Sequence, residues 1–332
     1  MPKFPQNLKI SRQKLLCGGA NKLEKMILET VAYFDIFSYP LTLVEIWKWL
    51  FFREADGLFV SLNKTEEIIK NSEAIKTLLK CKQGFYFLKN RESIIVLRKE
   101  RYNLAENKFK KALKVAGFLK WIPGIKMIGI CNSLSWANAD TGSDIDFFIV
   151  TEKGKLWTSR FLAVGFLKIF GLRPRKNKTK DKICLSFFVD EEHLNLEHLA
   201  IESPDIYLIY WINQLVPIFD EGGMHQKFID SNRWIKKFLP NIFNNEGSER
   251  RRITRDFVFV GRKEKTGESG LMEKFLHKLQ YKILPKRIKE MVDQNSNVVI
   301  RDGILKFHCD NDRREKYREK WLLKIKEFEE YL

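Results

Sequence analysis

Asn132-Ser133-Leu134-Ser135-Trp136-Ala137-Asn138-Ala139-Asp140-Thr141-Gly142-Ser143-Asp144-Ile145-Asp146-Phe147-Phe148-Ile149-Val150 is the stretch that decides the fold. Its second half is an apolar run carrying two acids near its start, which reads as a buried strand over Ile145 to Thr151. Side chains two apart on a strand share a face, so Asp144 and Asp146 point one way and Ile145 and Phe147 the other. Two carboxylates placed like this can hold Mg²⁺ through oxygen. A pair of such ions about 3.5–4 Å apart can clamp the attacking and leaving oxygens of an in-line displacement at phosphorus.

Working outward, Ile125 to Ile130 reads as a preceding strand and Ile183 to Val189 as a following one. The apolar stretch Trp157 to Phe170 between the last two reads as a helix. Strands alternating with helices give an α/β unit. Asn132-Ser133 falls in the turn after the first strand and before a helix, where backbone N–H groups can cradle phosphate.

Ser133 and Asp144 are separated by ten residues. Strand, small-residue turn, spacer and Asp144-Ile145-Asp146 on the next strand resembles the nucleotidyltransferase superfamily typified by DNA polymerase beta. That family's signature is Gly-Ser, about ten residues, then Asp-x-Asp. The chain is also similar to bacterial and archaeal proteins with a nucleotidyltransferase domain at Asn138-Ala139-Asp140, Ser143 to Thr151 and Leu185 to Val189. The likeness spans about residues 123–190. It implies Mg²⁺-dependent transfer of a nucleoside monophosphate from an NTP to a hydroxyl or phosphate acceptor. Asp144 and Asp146 would be catalytic metal ligands, and Asn132, Ser133, Ser143 and Ser186 would lie at the nucleotide.

Two positions depart from that pattern. The turn glycine is Asn132 here, a residue that tolerates left-handed backbone but adds bulk. The family's third carboxylate, commonly the base for the attacking hydroxyl, falls at Ser186 between Leu185 and Phe187. Asp190, at the strand's end, is the candidate substitute. The missing acid sets a second expectation beside the enzyme: a catalytically degenerate protein that binds nucleotide or nucleic acid.

The remaining organisation follows from periodicity and breaks. Residues 1–22 are basic, with no acid before Glu24, and read as a tail. Residues 23–100 read as three helices and a hairpin, the layout of a winged helix. The second helix opens with capping-box spacing at Thr42-Leu43-Val44-Glu45. The third is centred on Glu73 to Leu79, and the hairpin is Phe85 to Leu88 with Ile94 to Leu97. Residues 101–122 read as a linker helix, 123–200 as the nucleotidyltransferase-like core, and 201–332 as a helical region. In that last region Asp205 to Phe219 must be buried, and Tyr317, Trp321, Ile325 and Phe328 form one stripe. The predicted class is therefore α/β (α+β), a polymerase-beta-like core between a winged helix and helices.

Composition narrows the partners. The 332 residues carry 60 Lys+Arg against 42 Asp+Glu, a net charge of +18, which favours polyanions. The basic stretches Arg173 to Lys182 and Arg250 to Arg255 are the candidate nucleic-acid contacts. The five cysteines are scattered and form no C-x-x-C, which argues against a zinc ribbon or a disulfide framework. Leu156 to Leu172 is interrupted by Arg160 and Lys168, so it reads as a buried helix and no membrane contact is expected. No secretory h-region is visible at the start, and a reducing cytoplasm is the expected location. Arg301 and His308 match the Arg-x4–6-His spacing of a family of helical RNases, but Gly303 and the strand-like Val298 to Ile300 make that a coincidence.

Overall fold

The computed structural model describes residues 19–54, 59–175, 178–242, 253, 268–294, 296–308, 313–329 and 331. The fold is mixed α/β and divides into two compact units. The first comprises 1–95, 238–242 and 319–332, and the second 96–237 and 243–318. The basic segment Arg250 to Arg255 lies outside the described residues except Ile253, as does most of the basic tail.

The first unit runs α1 (Gly19–Asp35), β1 (Leu41–Thr42), α2 (Leu43–Lys48), α3 (Leu62–Asn71), α4 (Glu73–Leu78), β2 (Leu79–Lys82) and β3 (Phe85–Leu88). The capping box forms as read: Thr42 Oγ1 accepts from Glu45 N, and Glu45 Oε2 accepts from Thr42 N at 2.8 Å. The third helical stretch breaks at Ser72, which ends α3 and caps α4 by accepting from Ile75 N. Ile27, Leu28, Val31 and Phe34 of α1 are fully buried or nearly so, with Leu41, Ile46 and Phe51. The strands form an antiparallel sheet in the order β1-β3-β2.

The hairpin sits one strand earlier than its sequence suggests. Phe85–Leu88 pairs with Leu79–Lys82, not with Ile94 to Leu97. Gln83 and Gly84, both at positive φ (54° and 78°), make the two-residue turn whose twist suits a hairpin. Ile94 opens the long helix α5 (Ile94–Leu119), which therefore begins seven residues before the expected Arg101. Ile94 and Ile95 are buried together against Phe87 while Val96 is 60% exposed, a helical pattern and not an alternating one.

The second unit continues with β4 (Ile125–Ile130), α6 (Asn132–Ser135), β5 (Ile145–Thr151), α7 (Leu156–Ile169), β6 (Ile183–Asp190), α8 (Ile206–Asn213), β7 (Val216–Asp220) and α9 (Met224–Ser231). It is completed by α10 (Glu268–Ile283), α11 (Lys286–Met291), β8 (Val298–Arg301), β9 (Ile304–Phe307) and the first residues of α12 (Arg313–Glu329). The six strands are ordered β7-β4-β5-β6-β9-β8. Only β5 and β6 run parallel, joined through α7. Phe147, Ile149, Ile128 and Phe188 pack with α5 and α7 in one core. On the opposite face Phe148 and Phe187 meet Trp211 of α8, and Phe148 meets Phe228 of α9.

The region 201–332 is not purely helical: it supplies β7, β8 and β9, half of this sheet. Pro217 is tolerated because β7 is an edge strand. Asp302-Gly303 makes the β8–β9 turn, with Gly303 at φ 75°. In α7 the charge that interrupts the apolar run is satisfied internally, since Arg160 Nη1 donates to Gln280 Oε1 at 2.6 Å. Among the described residues no helix is long and apolar enough to cross a membrane.

Replacing Gly303 tests the turn. A Cβ there would overlap the His193 ring, and the backbone is left-handed. Gly303→Ala is expected to lose at least about 1–2 kcal/mol from backbone strain alone. In chemical denaturation, His193→Ala in that background should recover the steric part and leave the backbone part.

Candidate functional site

Asp144 and Asp146 open β5 beside a cavity of about 240 Å³ in the second unit. Asp146 is level with Cys184 in the parallel β5–β6 register, and the next pair is Phe148 with Phe187. One residue on β5 thus opposes two on β6, a bulge at Leu185-Ser186. Bulges re-aim side chains, and Ser186 lines the same cavity as Cys184 and the two acids. A ligand atom from each of Asp144, Asp146 and Cys184 lies within 4.8 Å of the others.

Asn132 follows β4 with φ 57°, the left-handed conformation that a glycine would take at no cost. Its side chain does what glycine cannot. Asn132 Oδ1 accepts from Trp211 Nε1 at 3.0 Å and from the Tyr207 hydroxyl at 3.4 Å, and the side chain also hydrogen-bonds the Asp146 carboxylate. Asn132 therefore ties two residues of α8 to the acid on β5.

The electrostatics are unusual for buried acids in this chain. Asp35 is neutralised by Arg91 at 3.0 Å and Lys324 at 2.9 Å, and Asp205 by Arg314 at 3.0 Å. For Asp144 and Asp146 no ion pair is found among the described residues. Burial, then repulsion from Asp146, raises Asp144 to about 6, against a smaller pull from Arg313 and Lys108. Burial likewise raises Asp146, with Asn132, Arg313 and Cys184 opposing. Burial and the two carboxylates push the Cys184 thiol up. A cation between the acids would relieve both desolvation and repulsion, so the donor set fits a divalent ion. The hard carboxylates suit Mg²⁺, whereas a thiol does not.

The far side of the cavity is basic. Lys306 and His308 come from β9 and the residue after it, and Arg313 and Arg314 from α12. His308 Nε2 is hydrogen-bonded to Ser186 Oγ at 2.9 Å. Burial and the neighbouring Lys306, Arg313 and Arg314 push His308 down to about 3, so its imidazole is neutral. Burial, then Arg314, lowers Lys306 to about 7. Arg314 also donates to Leu199 O, which fixes the start of α12 beside the start of α8.

The structure thus brings Asn132, Asp144, Asp146 and Ser186 together. It does not bring in Asp190. That residue ends β6 opposite Thr151, six residues beyond Cys184 and about 20 Å along the strand. Its Oδ1 already accepts from Glu192 N, His193 N and the His193 ring. Ser133 and Ser143 do not line the cavity. Ser133 O accepts from Asn138 N, and Ser143 O accepts from Lys108, a buried lysine that also pairs with Asp181 at 2.6 Å. Cys184, Tyr207, Trp211, Lys306, His308 and Arg313 are the members that sequence reading missed. Cys184 was visible as the residue two before Ser186, but nothing local announces α8 or β9. Of the basic loop, Arg173 and Arg175 are described and flank a shallow surface hollow, while 176–177 lie outside the described residues.

No family model, curated protein or solved structure matches the chain.

The raised Asp144 pKa fixes a sign. The folded state holds a proton that the unfolded carboxyl, at its ordinary 3.8, has released by pH 5. Stability of the metal-free protein therefore falls as pH rises from about 4 to about 6, and the cost stays above that window. Asp144→Asn is expected to raise the urea midpoint at pH 8 and to leave it nearly unchanged at pH 4. A lowered midpoint at pH 8 would mean that the carboxylate stabilises the fold.

Proposed function

We propose that the chain is a nucleotidyltransferase-like protein that binds an NTP with Mg²⁺. The observation that carries this reading is the unneutralised pair Asp144 and Asp146, at the mouth of a cavity with a left-handed Asn132 turn beside it. Asp144 and Asp146 would hold the ion, which when bound supplies charge neutralisation and polarisation at the phosphates. Asn132 and Ser133 form the turn proposed to lie along the triphosphate, with Ser143 behind it shaping the approach to β5. The cavity is smaller than the roughly 300–1,000 Å³ usual for drug-sized ligands. It suits the phosphate part of a nucleotide, with the base outside.

The third-acid position weighs on activity. Ser186 and the neutral His308 occupy it, and neither is a strong base. Binding of nucleotide is therefore the firmer half of the proposal, and transfer to an unactivated alcohol the weaker half. The catalytically degenerate alternative draws on the same observation. The order α1, β1, α2, α3, α4 and the β2–β3 hairpin supports reading the first unit as a winged helix. A nucleic-acid contact through Arg173 to Lys182 belongs to this proposal too, and would weaken steeply with salt.

Mg²⁺ with an NTP should raise the melting temperature of the wild type by mass action. Asp144→Asn and Asp146→Asn should each abolish that rise, even though the first stabilises the metal-free protein. A rise that persists in both variants would sink the assignment.

Asp190→Asn should change nucleotidyl transfer by less than about tenfold, or about 1.4 kcal/mol of barrier. Label incorporation from an α-labelled NTP reads this directly. Ser186→Asp, which restores an acid to the cavity, should increase incorporation if the strand is a degenerated catalytic one.

A further inference from the structure

We propose that the acceptor at this site is a phosphomonoester, held by Lys306 and Arg313, whose oxygen attacks already ionised; this rests on the nucleotidyl-transfer reading above. The strand order carries the geometry. β4, β5, β6 and β9 are successive neighbours in the sheet. At about 4.8 Å per strand, the turn after β4 and the side chains of β9 are separated by about 14 Å, with the Asp pair between them. If the triphosphate lies along Asn132, the acceptor is left with the β6–β9 side. That side presents Ser186, Lys306 and His308, and Arg313 stands over it at the start of α12.

The chemistry of that side selects the class of acceptor. An alcohol must lose a proton as it attacks, and the position that would take it holds a hydroxyl hydrogen-bonded to a neutral imidazole. The charges of Lys306, Arg313 and Arg314 oppose a proton arriving on His308, which is why it stays neutral. A phosphomonoester has its second pKa near 6 and is largely a dianion above pH 7. It needs no base, and the same positive groups that disable His308 attract it. Arg314 is committed to Asp205 and Leu199 O, which leaves buried Lys306 and exposed Arg313 as the groups to meet it.

The step balances without a proton. A non-bridging oxygen of the phosphomonoester attacks the α-phosphorus and forms a new P–O bond. The bond from the α-phosphorus to the bridging oxygen of the β-phosphate breaks. Pyrophosphate leaves with that electron pair, and the product is a nucleoside diphosphate ester of the acceptor.

The test uses the full chain, with phenyl phosphate as probe and phenol as its uncharged match. Phenyl phosphate should raise the wild-type melting temperature by about 2–4 °C and phenol should not. Arg313→Gln, at an exposed position, should remove the rise, and Lys306→Gln should reduce it if that buried variant folds. With Mg²⁺ and NTP, phenyl phosphate should stimulate pyrophosphate release at least about tenfold over phenol. Equal responses to phenyl phosphate and phenol, or a rise unchanged in Arg313→Gln, overturn the proposal. The nucleotide reading is scored separately by Mg²⁺–NTP on the wild type. A response to NTP without one to phenyl phosphate overturns the acceptor proposal alone, and no response to NTP overturns both.

Discussion

Two carboxylates sit close together, out of water and without a cation, at the start of a strand that is otherwise apolar. The rest of the second unit is arranged around that constraint. The strand β5 is anchored by Ile145, Phe147, Phe148, Ile149 and Val150, all fully buried. Burying a large apolar side chain contributes about 1.5–3 kcal/mol. Those five residues can therefore offset the desolvation of Asp144 and Asp146 many times over. The core holds the acids where they would not stay by themselves.

The contrast with the other buried acids gives that constraint its meaning. Asp35, Asp205 and Asp190 are each given donors: two cations, an arginine, and two backbone N–H groups with a histidine. Those are solutions for stability, since an unpaired buried charge is the expensive case. Asp144 and Asp146 lie within the same unit as Lys306, Arg313 and Arg314, yet the cations stand across the cavity from them. A fold that pairs its acids elsewhere and leaves a gap here leaves room for a ligand that is positive toward the aspartates and negative toward the basic wall. A metal-bound phosphate has that polarity.

The legible parts of the sequence were those whose signal is local. The three central strands, the Thr42–Glu45 capping box and the helix α7 came from runs and spacings of a few residues, and they stand as read. The tolerance of Asn132 for left-handed backbone also came from its residue type alone. Its bond to Trp211 did not, because that contact joins residues 79 apart in the chain. The hairpin was displaced because Phe85 to Leu88 lies between two apolar segments, and Gln83-Gly84 outweighed the β-branched Ile94 and Ile95. The basic wall was invisible for a different reason. Lys306 and His308 reach the site only because β9 inserts beside β6, and a strand's neighbours are a property of topology, not of its own pattern.

The third-acid position shows why the distinction matters for chemistry. Read along the chain, Asp190 was the nearest acid to Ser186 and an obvious substitute. Along a strand four residues span about 13 Å, and the turn at Gly303 and His193 already claims the Asp190 carboxylate. Proximity in sequence is proximity in space only across the width of a helix or the turn of a hairpin. On β6 the groups that matter to Ser186 are its lateral neighbours, Asp146 on one side and His308 on the other. The first is an acid placed toward a cation, and the second a base kept neutral by its surroundings. Whatever chemistry this site performs is decided across the sheet, where a proton has nowhere favourable to go and an anion does.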